Sequence, residues 1–153
     1  MTDDDFTWEY SCVEYDAKPV SIEGFRTFII EDASFEPDAK EYDLTLKDVE
    51  TGYTHMYRYW MTYTDSDTGA SMRNSRTLGT LDSLNFALTG VKSEYGKACV
   101  PRPDTVVGLV VSANNVIKDS KYPRIYKFLP APKEMVEAYS MNPDQYSVEY
   151  PEE

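Results

Sequence analysis

The chain has 153 residues, 41% of them hydrophobic and 27% charged, which is long enough for one domain with a sizeable core and ordinary for a folded protein. Its net charge of −12 argues against indiscriminate binding to duplex DNA, because phosphates would repel it, but is compatible with a local basic patch or a basic partner. Two cysteines are too few for a disulfide framework and no apolar run approaches the roughly 20 residues of a membrane helix, so we expect a cytoplasmic protein with reduced thiols and no membrane association.

The first part of the chain contains four segments that we interpret as β-strands. Their apolar residues alternate with polar ones or form short apolar runs, as strands with one or two buried faces require. The segments are residues 6–13, 25–33, 42–47 and 53–64. The last is partly apolar on both faces and is therefore predicted to be a central strand. The first is an extra N-terminal strand beyond the predicted core.

One helix is predicted in the middle of the chain. Leucines recur at helical spacing over residues 78–89, after a polar loop at residues 65–76. Thr77 or Thr80 can cap the start of this helix, and Gly90 lies where a glycine commonly ends one.

Two more strands, residues 105–113 and 122–129, follow the helix, and a short helix at residues 133–140 comes next. Five core strands with one helix between the third and the fourth give the element order of an OB-fold. We therefore predict a mainly β domain over residues 1–141, either an OB-like five-stranded barrel or a coiled antiparallel sheet. Residues 142–153 form an acidic C-terminal tail.

The positive charges of the chain are concentrated in one region. Residues 53–130 carry ten basic and six acidic residues, for a net charge of +4, whereas the rest of the chain carries −16. The same region is rich in aromatic residues. Basic residues interleaved with aromatic rings suit single-stranded nucleic acid, which combines a polyanionic backbone with exposed planar nucleobases. Alternatively, the rings fill the core and the charge split reflects acidic ends.

Charge and strand face together select six candidate nucleic-acid-binding residues. The second and third strands of an OB-fold, with their adjoining loops, form its usual binding face. Arginines there would contact phosphates and rings would stack on bases, although the residue type and strand position of Trp60 favour a place in the core. The candidates are Arg58, Trp60, Arg73, Arg76, Arg124 and Tyr126.

Other kinds of site lack the residues that they need. His55 is the only histidine and has no nucleophile motif beside it, so neither a catalytic triad nor a zinc site is expected. Residues 65–76 fail the calcium-loop pattern, and Asp67-Thr68-Gly69-Ala70 matches the short aspartic-protease signature but has polar flanks, which favours an Asp/Gly turn. We expect no catalytic residue, no metal, no cofactor and no enzymatic activity.

The layout resembles a family of small phage and prophage proteins. The residues that carry the resemblance are Ile30-Glu31-Asp32-Ala33, the helix at 78–90, the valine-rich strand at 105–113 and the closing Phe128-Leu129-Pro130, within residues 24–132. Members of this family are encoded near recombination genes and are suspected to be OB-fold single-stranded-DNA-binding proteins. The resemblance implies the same fold and ligand here, but it supplies no individual binding residue.

These observations give two functional hypotheses. The first is a non-enzymatic, phage-type protein that binds single-stranded DNA or RNA in replication or recombination, with basic replication or recombination proteins and further copies of itself as additional partners. The second is an acidic protein-interaction module, either a DNA mimic or an assembly protein, that binds a basic partner. A basic groove on the folded surface favours the first hypothesis, and a continuous acidic face favours the second.

Overall fold

The structure is a computed structural model that describes residues 20–117 and 122–140. The predicted strand at residues 6–13 and the tail at 142–153 lie outside these ranges. The elements follow in chain order: β1 (Gly24–Glu36), β2 (Glu41–Asp48), β3 (Thr54–Trp60), β4 (Thr62–Thr64), β5 (Ser71–Arg73), α1 (Ser75–Thr89), α2 (Pro103–Val106), β6 (Val110–Asn115), β7 (Phe128–Pro130) and α3 (Lys133–Tyr139).

The main sheet has five antiparallel strands in the order β3-β2-β1-β6-β7, and β4 pairs with β5 in a separate hairpin. Helix α1 falls between the third and the fourth strand of this sheet along the chain, so the predicted element order and mainly β class are confirmed. The predicted barrel is wrong, because within the described residues β3 and β7 are two separate edges of an open sheet. β7 pairs over only three residues, which leaves little strand with which to close a barrel.

The core lies between one face of the sheet and α1. Every second residue of β2 is buried on this face, as are Tyr57 and Tyr59 of β3, and α1 contributes its apolar stripe. A smaller apolar cluster lies on the opposite face, which we call the back face, where α3 covers β6. The largest fully buried apolar side chains of the main core are Tyr42, Phe128, Ile30, Leu44, Leu46, Leu81, Leu84, Ile125, Val106 and Val111.

The predicted long strand at residues 53–64 is two strands that meet at Met61. There the backbone N–H of Met61 donates to the Lys40 carbonyl, and the Met61 carbonyl accepts from the N–H of Asn74. The prediction that this strand is central is also wrong, because β3 is an edge strand. Both faces of β3 carry apolar residues, but one face is buried in the core and the other is exposed on the back face.

The strand predicted at residues 105–113 begins later than expected. Residues Pro103–Val106 form the short helix α2, and the strand starts at Val110. Gly108 between them has φ 86°, a left-handed conformation that glycine adopts without steric cost, and its N–H donates to the Ile30 carbonyl at 2.7 Å. The last predicted strand, residues 122–129, pairs as a ladder only from Phe128 onward.

The caps of α1 differ from the prediction at one end only. Asn74, rather than Thr77 or Thr80, is the N-cap, and its side-chain oxygen accepts from the Thr77 N–H at 3.2 Å. The helix therefore begins before its first leucine, and the two threonines lie inside it. Gly90 ends the helix with φ 73°, and its N–H donates to the Phe86 carbonyl, as predicted.

Replacing Asn74 by alanine should lower the free energy of unfolding by about 1 kcal/mol, because the Thr77 N–H loses its acceptor. Urea denaturation followed by circular dichroism measures this loss. Ser75→Ala is the matched control, because Ser75 is exposed in the first turn and no capping bond depends on its side chain. An equal effect of the two substitutions would contradict the capping role of Asn74.

Candidate nucleic-acid interface

The segment that leads into β7 displays a strip of exposed rings and charge. Tyr122, Arg124 and Tyr126 are exposed, whereas Pro123 and Ile125 between them are buried. This alternation is that of an extended chain with one side against the core. Because the two buried residues hold the segment on the core, the three exposed side chains lie in a row on the surface.

Hydrogen bonds fix this segment at several points. Arg124 and Val116 exchange two backbone hydrogen bonds of 2.8 Å each in an isolated bridge. The Tyr59 hydroxyl donates to the Ile125 carbonyl at 3.0 Å, and the Thr80 hydroxyl donates to the Tyr126 carbonyl at 2.7 Å. The strip is therefore held against both β3 and α1, so its side chains occupy defined positions.

One end of the strip meets the first turns of α1. The guanidinium carbon of Arg76 lies 5.4 Å from the centre of the Tyr126 ring, which is within the range of a cation–π contact. Fifty residues separate these two side chains in the chain. The contact places a positive charge beside an exposed ring, which is the combination that binds a nucleotide phosphate and its base.

The other end of the strip continues into β3. The His55 ring stacks with two tyrosine rings. Its centroid lies 6.2 Å from that of Tyr122, with an interplanar angle of 18°, and 6.3 Å from that of Tyr53, with an angle of 12°. Burial lowers the pKa of His55 below its ordinary value of about 6.5, so the ring is neutral at pH 7. The three rings therefore form an uncharged aromatic stack.

A shallow groove of about 540 Å³ adjoins Tyr126. It lies between α1 and the connection that follows this helix, and the exposed rings of Phe86 and Tyr126 are in its wall. The charged residues that line it are Asp82, Lys92, Glu94, Lys97 and Lys127.

Both carboxylates that line the groove already have ion-pair or hydrogen-bond partners. Glu94 forms an exposed ion pair of 3.0 Å with Lys97. Asp82 accepts hydrogen bonds from the Ser93 hydroxyl and from the backbone N–H of Cys99. In the part of the chain that the structure describes, neither Lys92 nor Lys127 has an ion-pair partner. The groove therefore offers positive charge to an anionic ligand.

We name this surface the aromatic-basic track. It runs from the ring stack on β3, along the strip, to Arg76 and the groove. Its members are Tyr53, His55, Tyr122, Arg124, Tyr126, Arg76, Phe86, Lys92 and Lys127.

A scan against protein-family models finds no match to this chain, and a search among curated proteins finds no similar sequence. Functional inference therefore depends on the geometry of the site.

The six sequence-predicted candidates divide between two faces of the sheet. Arg76 and Tyr126 are in contact, and Arg124 is two residues from Tyr126 on the same strip. Arg73 is exposed at the end of β5, just before α1. Arg58 and Trp60 lie on the back face, because the intervening Tyr57 and Tyr59 turn into the core. The structure thus assembles part of the predicted set and separates these last two residues from it.

Sequence reasoning missed the aromatic stack and the groove. As the only histidine, His55 was considered for catalysis or metal binding. Its position two residues after Tyr53, however, puts the two rings on one strand face. The groove depends on residues that are distant in sequence, such as Phe86 and Lys127, so no local pattern reveals it.

The loop between β4 and β5 is an Asp/Gly turn, as predicted. The Asp65 carboxylate accepts from the backbone N–H groups of Asp67 and Thr68 at 2.8 and 3.1 Å, and these bonds lower its pKa. Gly69 adopts φ 71°. Over residues 20–117 and 122–140, three or more potential metal ligands are nowhere grouped, and helices of the length and hydrophobicity that cross a bilayer are not found.

Proposed function

We propose that this protein binds single-stranded nucleic acid along the aromatic-basic track. The observation that carries the proposal is the exposed row Tyr122, Arg124, Tyr126, with His55 stacked on its first ring and Arg76 over its last. Rings alternate with guanidinium groups here, as bases alternate with phosphates along a strand. The resemblance noted in the sequence makes replication or recombination the setting in which this binding would act.

The chemistry of the track favours single strands over duplex. Bases stacked inside a duplex do not offer their faces to tyrosine rings, whereas an unpaired base can stack on a ring for about 1–3 kcal/mol. The overall charge of −12 also opposes binding that relies on phosphates alone. Local arginines and lysines would therefore anchor the backbone, and the rings would select unpaired bases.

Titration of the full-length protein with fluorescently labelled oligo-dT tests the proposal. We expect binding at low salt, and a slope of log affinity against log salt of roughly −2, because about three cations would each contribute about 0.7. A duplex of the same length should bind more weakly. The absence of oligo-dT binding at low salt, or equal affinity for the duplex, would overturn the proposal.

A further inference from the structure

Among the described residues, no strand pairs with β3 on the side away from β2. A backbone hydrogen bond closes its ladder to β2 at each end, from the Asp48 N–H to the Tyr53 carbonyl at 2.8 Å and from the Met61 N–H to the Lys40 carbonyl at 2.9 Å. Residues of an antiparallel strand direct their backbone groups alternately to the two sides. The residues that face outward are therefore Thr54, Met56, Arg58 and Trp60.

This edge lacks the features that commonly protect an edge strand. Natural edges are blunted by lysine, proline or bulges. The stretch Thr54–Trp60 contains neither lysine nor proline, and its register with β2 runs without a shift over seven residue pairs. The single charge, Arg58, lies opposite Asp43 of β2. The edge is therefore regular in register, and within the described part of the chain it is available to another strand.

Two of the four side chains beside this edge, Met56 and Trp60, are apolar. Met56 and Trp60 are 44% and 49% exposed on the back face. Added strands gain affinity from main-chain hydrogen bonds and specificity from alternate side chains. These two side chains would contact alternate residues of such a strand.

Acidic residues surround the edge on the same face. Glu41 is opposite Trp60, Asp43 is opposite Arg58, and the Glu31 carboxylate accepts from the Thr54 hydroxyl at 3.5 Å. One carboxylate oxygen of Asp43 is buried without a hydrogen-bond partner among the described residues. Asp32 and Glu36 of β1 lie on the same face, whereas the basic residues that β2 and β3 place there are Lys47 and Arg58.

We propose that the β3 edge pairs with an extended basic segment of a protein partner, which adds an antiparallel strand to the sheet and directs its basic side chains to the back face. Charge complementarity identifies the occupant, because lysines or arginines on such a segment would share the back face with Glu41, Asp43 and Glu31, which carry the opposite charge. Pairing of two β3 edges would instead bring two acidic back faces side by side, which would repel each other.

Peptide probes test the backbone pairing directly. A nine-residue peptide of alternating lysine and valine should shift the amide resonances of Thr54, Met56, Arg58 and Trp60 in the full-length protein. In an antiparallel pair, directly opposed residues point their side chains to the same face and exchange backbone hydrogen bonds in alternate pairs. Peptide residues that oppose the outward-facing residues of β3 therefore place their side chains on the back face and their N–H groups toward β3. Lysine would occupy these positions. Methylation of the lysine backbone nitrogens should weaken binding roughly tenfold or more. Methylation of the valine nitrogens is the matched control and should change it little.

Two further binding measurements identify which interactions provide the affinity. A peptide with glutamate in place of lysine should not bind. Met56→Pro removes an outward N–H that β2 does not use, and should weaken binding about tenfold, whereas Met56→Thr keeps that N–H and should retain it. If the proline variant does not fold, the methylated peptides decide.

Several outcomes would overturn the proposal. Equal affinity for the unmethylated and both methylated peptides would show that the edge is not used. A dimer that Met56→Pro dissociates, measured by light scattering, would make a second copy the occupant. Tighter peptide binding in full-length Tyr10→Pro would make the predicted strand at residues 6–13 the occupant.

Discussion

The double variant Arg76→Ala/Arg124→Ala should bind oligo-dT roughly tenfold more weakly than the wild-type protein at low salt, and its salt slope should be flatter by about 1.4. The reason is the loss of two phosphate contacts, each of which releases about 0.7 of a counterion from a single strand. Arg76 covers the ring of Tyr126, and Arg124 lies on the strip itself. Fluorescence anisotropy over a series of salt concentrations measures both the affinity and the slope.

Arg58→Ala/Arg102→Ala is the matched control. It removes the same charge, but Arg58 is on the back face and Arg102 pairs with Asp104 at the surface. We expect this control to lower the affinity by about twofold at most, because both guanidinium groups lie outside the track. Equal losses in the two double variants would mean that overall charge, rather than the track, governs binding, and would contradict the assignment of the site.

Periodicity predicted the elements of this fold better than their partners. The leucine stripe located α1 and Gly90 located its end, because both signals are local. Strand β3 was placed in the centre of the sheet because both of its faces carry apolar residues. Sequence could not distinguish Tyr57 and Tyr59, which fill the core, from Met56 and Trp60, which are exposed. Which face of a strand turns inward depends on what packs against it, and here that element is distant in the chain.

Prediction of the candidate site met the same limit, because the site also depends on which residues pack together in the fold. The alternation of residues 122–126 was visible in the sequence and was interpreted as a strand, although its regularity comes from the burial of Pro123 and Ile125. The contact between Arg76 and Tyr126 joins the helix to this segment, so it required the tertiary fold. Arg58 and Trp60 were grouped with these residues by charge and ring alone. Their position on the opposite face follows from the pleat once the core face is known.

The ion pair between Arg26 and Asp48 joins β1 to the end of β2, and it differs from the other ion pairs described because both side chains are largely removed from solvent. Their exposed fractions are 13% and 3%. The Arg26 guanidinium donates to both Asp48 oxygens, at 2.7 and 3.0 Å. Asp48 also accepts from the backbone N–H groups of Glu50 and Thr51, so one carboxylate holds the β2–β3 turn and the neighbouring strand together.

Burial alone would raise the pKa of Asp48, but the hydrogen bonds from Arg26 and from the two turn amides outweigh it and hold the pKa below its ordinary value. A carboxyl group whose pKa is lowered by folding stabilises the folded state above its unfolded pKa of about 3.9. That stabilisation decreases as the pH falls below about 4 and is lost once the pH is below the folded pKa.

Asp48→Ala should therefore lower the free energy of unfolding at pH 7 by about 3–5 kcal/mol, because the largely buried Arg26 guanidinium keeps only its longer ion pair with Glu50, at 3.8 Å, and two turn amides lose their acceptor. Urea denaturation at pH 7 and pH 3 measures this loss, and the difference between variant and wild type should be smaller at pH 3. Asp104→Ala removes the acid of the exposed Arg102 pair and should cost at most about 1 kcal/mol. A loss at Asp48 no larger than that at Asp104, or one that is the same at both pH values, would show that this ion pair does not stabilise the junction of β1 and β2.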